Sequence, residues 1–216
     1  MQKLISSFVL VFFLSYSPLF SQECSLSENI FNIQKTQKQH SYDNPSIMFR
    51  IAKISLWGKY SLENLETYIT KSVDDIEQYG WEFSIVGGVS RDEGFDFRPM
   101  VTFQWFDITK SGDNMASNMS LLGEFEFAYN FNKYFSPFVG FNAGVGITNF
   151  NDEVTDAGYG GQFSILTGFS GLIYEHLGYY IKISATKKTS YFSHEEVNHY
   201  MSSDLLSLKY GLSYKF

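Results

Sequence analysis

The chain has a single cysteine, Cys24, in 216 residues, so no disulfide within it can staple the fold. Four prolines leave few fixed breaks, and 16 basic residues against 23 acidic ones give a net charge of −7. So acidic a chain is a poor ligand for polyanions, which argues against nucleic acid as a partner. Long apolar runs are also scarce. Beyond the N-terminus nothing approaches the ~20 residues that a spanning helix needs, so any passage through a membrane there must use strands. Phosphate-binding loops are missing too. Gly140, Gly144 and Gly146, and again Gly158, Gly160 and Gly161, precede no strand-to-helix transition and no closing Lys-Ser/Thr. They read as relief for crowded strands and tight bends, and no cofactor is implied.

What is abundant is aromatic: 22 Phe and 15 Tyr, with 17 Gly, a mixture suited to twisted strands. At the N-terminus, Met1-Gln2-Lys3 is a short basic start, Leu4 to Leu14 an apolar core, and Ser15 to Gln22 a small and polar cleavage region. Residues 1–21 therefore read as an export signal cut after Ser21, with Ser17 as the alternative; a retained anchor is disfavoured because the apolar core is shorter than a span. Removing 1–21 takes Lys3 with it and leaves 15 − 23 = −8. Cys24 is a poor lipid-attachment site because Glu23 puts a carboxylate before it. Residues 22–47 lack periodicity and are expected to form a periplasmic leader, with a barrel domain over 48–216.

From Trp81 onward, apolar and polar residues alternate with the period of two that marks strands with unlike faces. Trp81, Phe83 and Ile85 oppose Glu82 and Ser84; Phe95 to Trp105 oppose Asp96, Arg98 and Gln104. Met119 to Phe131 oppose Ser120, Glu124 and Glu126, and Val139 to Ile147 oppose Asn142 and Thr148. Phe163–Ile173, Tyr179–Ala185 and Leu206–Phe216 complete seven blocks, most long enough to cross a hydrocarbon layer when tilted. Barrel parity calls for an eighth strand upstream, assigned to Met48–Tyr60. There Lys53, Trp57 and Lys59 are expected inside with Ile51, and Ala52, Ile54, Leu56 and Tyr60 on lipid. Connections alternate between short ones (91–94, 132–136, 175–178) and longer polar ones (61–79, 108–117, 149–160, 187–204), the asymmetry of tight periplasmic turns and roomy outer loops. Leu62, Leu65, Ile69, Val73 and Ile76 recur at helical spacing after Ser61, so the first outer loop is expected to hold a short amphipathic helix, a solvated loop being the competing reading.

The expected fold is thus all-β: one antiparallel up-and-down transmembrane barrel of about eight strands. Hydrocarbon leaves bare backbone amides unsatisfied, so a strand protein spans only by closing on itself, apolar face outward and polar face inward. A soluble ligand-binding barrel shows the same alternation turned inside out, and is the rival that periodicity alone leaves standing. Trp81, Trp105, Tyr129, Tyr134, Tyr179 and Tyr214 near strand ends fit interfacial girdles. The C-terminal pattern Tyr210-x-Leu212-x-Tyr214-x-Phe216, and the turn from Asn132 to Gly140, resemble those of the small outer-membrane β-barrels of Gram-negative bacteria, the OmpA-like or porin family. That resemblance covers the chain from about Met48. It implies residence in the outer membrane, lipid as surroundings, and recognition of Tyr210, Leu212, Tyr214 and Phe216 as an assembly signal by the barrel-assembly machinery. It carries over no catalytic residues.

Inside such a barrel Glu124 and Glu126 need cationic partners, for which Arg98, Lys182, Lys209 and Lys215 are the candidates. Their pairing would plug a lumen this narrow, against the rival of a selectivity ring. Enzymatic candidates are thin. His194-Glu195-Glu196-Val197-Asn198-His199 misses the HExxH spacing of a zinc site by one residue. His199 with Ser202 superficially resembles the His/Ser pair of barrel lipid A deacylases at the wrong spacing. The expectation is a non-enzymatic structural, adhesive or loop-binding barrel that meets an unknown extracellular partner through its loops; the alternatives are a lipid-modifying barrel enzyme and a soluble periplasmic binding barrel.

Overall fold

The computed structural model describes residues 45–89, 93–110, 112–152 and 155–216; the expected export signal, and the leader as far as residue 44, lie outside the described residues. Eight strands follow one another: β1 Pro45–Asn64, β2 Thr70–Val89, β3 Gly94–Lys110, β4 Asp113–Asn130, β5 Ser136–Phe150, β6 Gly158–Tyr174, β7 Leu177–His194 and β8 Val197–Lys215. Each pairs antiparallel with its neighbours in sequence, and β8 returns to β1 to close the barrel.

The stagger of that closure follows from the register. Stepping through ladder partners from Tyr60 to Ser203, Lys188, Gln162, Gly144, Leu122, Thr102 and Ser84 returns to β1 at Arg50, a displacement of 60 − 50 = 10 residues. For eight strands this sets a tilt of roughly 40° and a radius of about 8 Å. Such a cylinder has room for side chains and little else.

Alternation then sorts the side chains. Phe103, Phe127, Phe141, Val145 and Ile165 face outward, whereas Glu82, Glu124, Glu126 and Lys182 are wholly buried inside. An apolar surface of this extent around the whole wall is far more than a soluble monomer exposes, so the sense is that of a membrane barrel rather than an inside-out binding barrel. Trp57, Tyr79, Trp81 and Trp105 ring the outer edge of the apolar belt, and Tyr129, Tyr134, Tyr174 and Tyr214 ring the periplasmic edge.

Several expectations are corrected. Strand β1 starts at Pro45, within the supposed leader, and runs on to Asn64. Its faces are reversed: Ala52, Ile54, Leu56 and Tyr60 are buried in the lumen, and Ile51, Lys53, Trp57 and Lys59 point outward. The register decides this, because Ile51 lies beside Phe83 and Leu212 on the lipid face, while Arg50 lies beside Ser84 and Ser213. No helix occupies 61–79. Pairing of Ser61–Glu63 with Thr70–Ser72 satisfies the backbone instead, leaving a turn in which the Asn64 side chain accepts hydrogen bonds from the amides of Glu66 and Thr67. Two other expected outer loops, 108–117 and 187–204, are likewise largely strands that continue past the bilayer, with β3 and β4 joined by residues 111–112 and β7 and β8 by Glu195–Glu196, whereas within 149–160 a loop remains between Phe150 and Gly158. Polar composition in these segments reflects water on both faces, not loss of pairing.

Glycine is demanded where the wall crowds. A Cβ on Gly80 would run into the Trp105 carbonyl oxygen and the Phe106 backbone, whereas one on Gly87, on the outer face, would meet nothing nearer than the Pro99 carbonyl at 3.9 Å. Gly80→Val is expected to lower stability by about 1–3 kcal/mol, read as an earlier urea midpoint for the heat-modifiable folded band, with Gly87→Ala unchanged. Equal midpoints would show that the wall gives way at Gly80.

Candidate functional site

The lumen is layered. At the periplasmic mouth Arg98 donates to Asp96 (2.8 Å), Ser170 (2.9 Å) and Asn130 (2.9 Å). A small cavity of about 70 Å³ lies among Arg98, Ser170, Lys215 and their neighbours. Above it, at the level of the bilayer centre, Arg50 donates to Glu126 (2.7 Å) and stacks its guanidinium 4.9 Å from the Tyr180 ring centre. Lys182 bridges Glu124 (2.5 Å) and Glu82 (3.0 Å), and Lys209 reaches the other oxygen of Glu82 (2.6 Å). Asn142 and Gln104 donate to Glu124 and Glu82. Three carboxylates thus meet three cations, and the layer is neutral.

The strands explain why these groups converge. Each occupies an even-numbered inward position on β1 to β5 or β7, or an odd-numbered one on β8, and the tilt brings those positions to similar heights. Of the expected cluster, Glu124, Lys182, Lys209 and Glu126 share this layer. Arg98 is drawn to Asp96 although it lies opposite Glu126 in the ladder, because Arg50 already holds Glu126. Arg50 and Glu82 were missed. Arg50 belongs to the strand whose faces were reversed, and Glu82 was visible as an inward carboxylate in the Trp81 block with no partner sought for it.

Further out the lumen turns first to hydroxyls and amides, then to hydrocarbon. Ser184 bonds Ser207 (2.6 Å), Ser164 bonds Thr186 (2.9 Å), and Asn118 donates to Thr148 (2.8 Å). Lys188, 3% exposed, has no hydrogen-bond partner for its ammonium among the described residues and lies 4.8 Å from the Phe106 ring centre. Phe106 joins Ile54, Leu56, Tyr60, Ile108, Ala116 and Leu205 in an apolar cap, with Phe150 and Met201 packed on it. The outer layer is thus mainly apolar, although Gln78, wholly buried between Leu56 and Ile108, and Ser190 and Ser203 keep polar groups in it. This cap, made partly of residues that sequence placed on lipid, seals the outer half.

The outer rim is the open feature. A groove of about 890 Å³ lies between the β1–β2 turn and the β7–β8 hairpin, lined among others by Glu66, Asp156, Tyr159, Tyr191, Phe192 and His199. Phe192 stacks on His199 (5.4 Å) and packs on Phe150 (4.6 Å); His194 bonds Thr155 (2.7 Å). His194 and His199 face each other across the hairpin at 6.2 Å, but no group of three or more His, Cys, Asp or Glu could hold a metal among the described residues. His199 and Ser202 are three apart on one strand, so they point to opposite faces and form no dyad.

Tyr210, Leu212, Tyr214 and Phe216, the residues expected to form an assembly signal, all face outward, and Phe216 meets Phe49 and Tyr214 edge-on at 5.3 and 4.9 Å. The central ion network yields a sharp expectation. Lys182→Met leaves buried Glu124 without a cation and Glu82 with Lys209 alone, and should cost about 3–5 kcal/mol in a urea titration in micelles, while Arg50→Met combined with Glu126→Met removes both charges of one pair and should cost far less than either alone. Additive costs in the double variant would contradict the pairing.

No family model matches the chain, and no curated protein matches its sequence. Solved structures do resemble it. The outer membrane protein OprG of Pseudomonas aeruginosa superposes with a TM-score of 0.50 at 9% identity, covering 81% of this chain and 97% of that one. Neisserial surface protein A gives 0.44 at 13% identity, covering 78% and 97%. Ail, the attachment invasion locus protein of Yersinia pestis, gives 0.43 at 12% identity, covering 79% and 99%. In fold, this chain is similar to the small outer-membrane β-barrel proteins.

Proposed function

We propose that the protein is a non-enzymatic outer-membrane barrel that offers its outer rim to an external partner. The observation that carries this reading is the tip of the β7–β8 hairpin. Glu195 and Glu196 both adopt positive φ, 51° and 66°, a turn that suits the twist of a hairpin but strains any residue with a Cβ. Asn-Gly would relieve that strain. A doubly acidic pair instead holds the tip beside the aromatic groove, and retained strain at an exposed tip fits a binding role better than a structural one. The filled lumen favours display over transport, since the apolar cap and the neutral ion network occupy its outer and middle layers.

The lipid-modifying alternative needs a nucleophile and base in contact, which the opposite faces of His199 and Ser202 do not supply. Alanine at both positions is expected to leave lipid A unchanged by mass spectrometry. The outward strip Tyr210-Leu212-Tyr214-Phe216 would serve the barrel-assembly machinery as its recognition element.

Two measurements test the reading. In a Cys24→Ser background, a membrane-impermeant maleimide is expected to label Glu195→Cys on intact cells, and protection of that site until lysis would place the hairpin on the wrong side. Deleting Phe216 should slow appearance of the heat-modifiable folded band severalfold in a pulse-chase; unchanged kinetics would remove the C-terminal strip from assembly.

A further inference from the structure

The outer half of the lumen encloses a cation that the ion network does not reach. Lys188 faces inward on β7 six residues beyond Lys182, about 15 Å along the barrel axis. It is buried, and its ammonium has no hydrogen-bond partner among the described residues. From the ion layer out to the apolar cap, the inward charges among the described residues are Arg50, Lys182, Lys188 and Lys209 against Glu82, Glu124 and Glu126, which leaves 4 − 3 = +1. Each of those carboxylates already holds one of the other three cations. An enclosed ammonium is ordinarily paired, because burial strips it of water and the face of an aromatic ring restores only part of the loss.

Other unbonded polar groups gather near it. The Gln78 amide, wholly buried on β2, has a partner for neither its nitrogen nor its oxygen, and the hydroxyls of Ser190 on β7 and Tyr60 on β1 are unbonded as well. Register sets them around one stretch of the axis. Tyr60, Ser203 and Lys188 follow one another along a ladder row, which puts the outer two about 10 Å apart at their backbones. Ser190 is the next inward position beyond Lys188. The strands β3 and β7 are four apart in either direction, so the 4.8 Å contact of Lys188 with the Phe106 ring carries the ammonium to the middle of a lumen about 8 Å in radius. Gln78 sits on that far side too, opposite Ile108 and two places from Phe106 in the ladder. Gly58, Gly146 and Gly160 take inward places near this level and add no side chain to it. Buried polar groups left unbonded in a native fold call for an explanation, and an enclosed ion or water is the usual one.

We propose that the outer lumen encloses one small monovalent anion, chloride or another halide, held by the Lys188 ammonium and the Gln78 amide nitrogen with the Ser190 and Tyr60 hydroxyls as further donors. The donor set chooses the sign, since all four side chains carry N–H or O–H groups and one of them is a cation. Size follows from the surroundings: Phe106, Ile108 and Leu56 leave no place for an anion that keeps its hydration shell. One negative charge brings this part of the lumen to neutrality. Bound between β7 and β2, the ion ties separate walls together beneath the rim.

The test uses the full chain, refolded into neutral detergent in the sodium salt of chloride, bromide or gluconate at one ionic strength, its heat-modifiable migration checked first. Gluconate is too large to be enclosed. At a fixed urea concentration the wild type is expected to lose its folded band at least threefold more slowly in chloride or bromide than in gluconate. Lys188→Met, which keeps most of the stem and needs no anion, should unfold at one rate in all three salts, and Lys133→Met, between β4 and β5 at the periplasmic end, should keep the wild-type ratio. Equal rates for the wild type in the three salts overturn the proposal, as does a halide effect that Lys188→Met retains in full, which is then a general salt effect. Should Lys188→Met fail to fold, the wild type decides by itself: crystals grown in bromide are expected to show an anomalous peak between Lys188 Nζ and Gln78, and a water without anomalous signal at that point, or no density, overturns the proposal.

Discussion

Everything in this molecule depends on the fate of its backbone amides. Hydrocarbon offers them no partner, so each strand must be paired along both sides, and eight strands with a ten-residue stagger are one way for a single sheet to leave no edge. Closure fixes the radius, the radius fixes how many side chains the lumen holds, and the alternation of the strand sends every second residue there. The charges inside are a consequence of that geometry, since a lumen lined from eight walls must be filled by whatever the inward positions supply.

Filling it with ions would be ruinous without balance. Glu82, Glu124 and Glu126 are wholly buried, and each is met by Arg50, Lys182 or Lys209 at hydrogen-bond distance. Exchanging water for such partners gains little net stability, but loss of any one partner is expensive, so the network acts mainly to hold the walls at one register. The apolar cap above it works differently, by shape and by exclusion of water. Together they make a solid rod through the membrane, with Lys188 at the boundary between the two regimes.

A solid rod does its work at its ends. Strands of 15 to 20 residues exceed what the bilayer needs, and the surplus lies on the outer side, where the β1–β2, β3–β4 and β7–β8 hairpins stay paired rather than dissolving into loops. Pairing of this kind holds the β7–β8 tip and its aromatic groove in a defined place, as a recognition surface requires.

Alternating residues over seven blocks and the aromatic C-terminal strip pointed to a membrane barrel, with the eighth strand supplied by parity, because period two is a local property that each of those seven blocks displays by itself. That Glu124, Lys182 and Lys209 face inward could be read in the same way. Which cation meets which carboxylate could not, since Arg50 and Glu126 are 76 positions apart and meet only through the stagger of closure. The faces of β1 were likewise decided by its neighbours: Lys53 looked inward by its charge alone, yet Phe83 and Leu212 beside Ile51 leave it no choice but lipid. Helical spacing after Ser61 misled for the same reason, because the pairing of β1 with β2 outcompetes a weak local preference for helix. Local chemistry decided what kind of strand each segment is, and only the closed sheet decided what each strand stands beside.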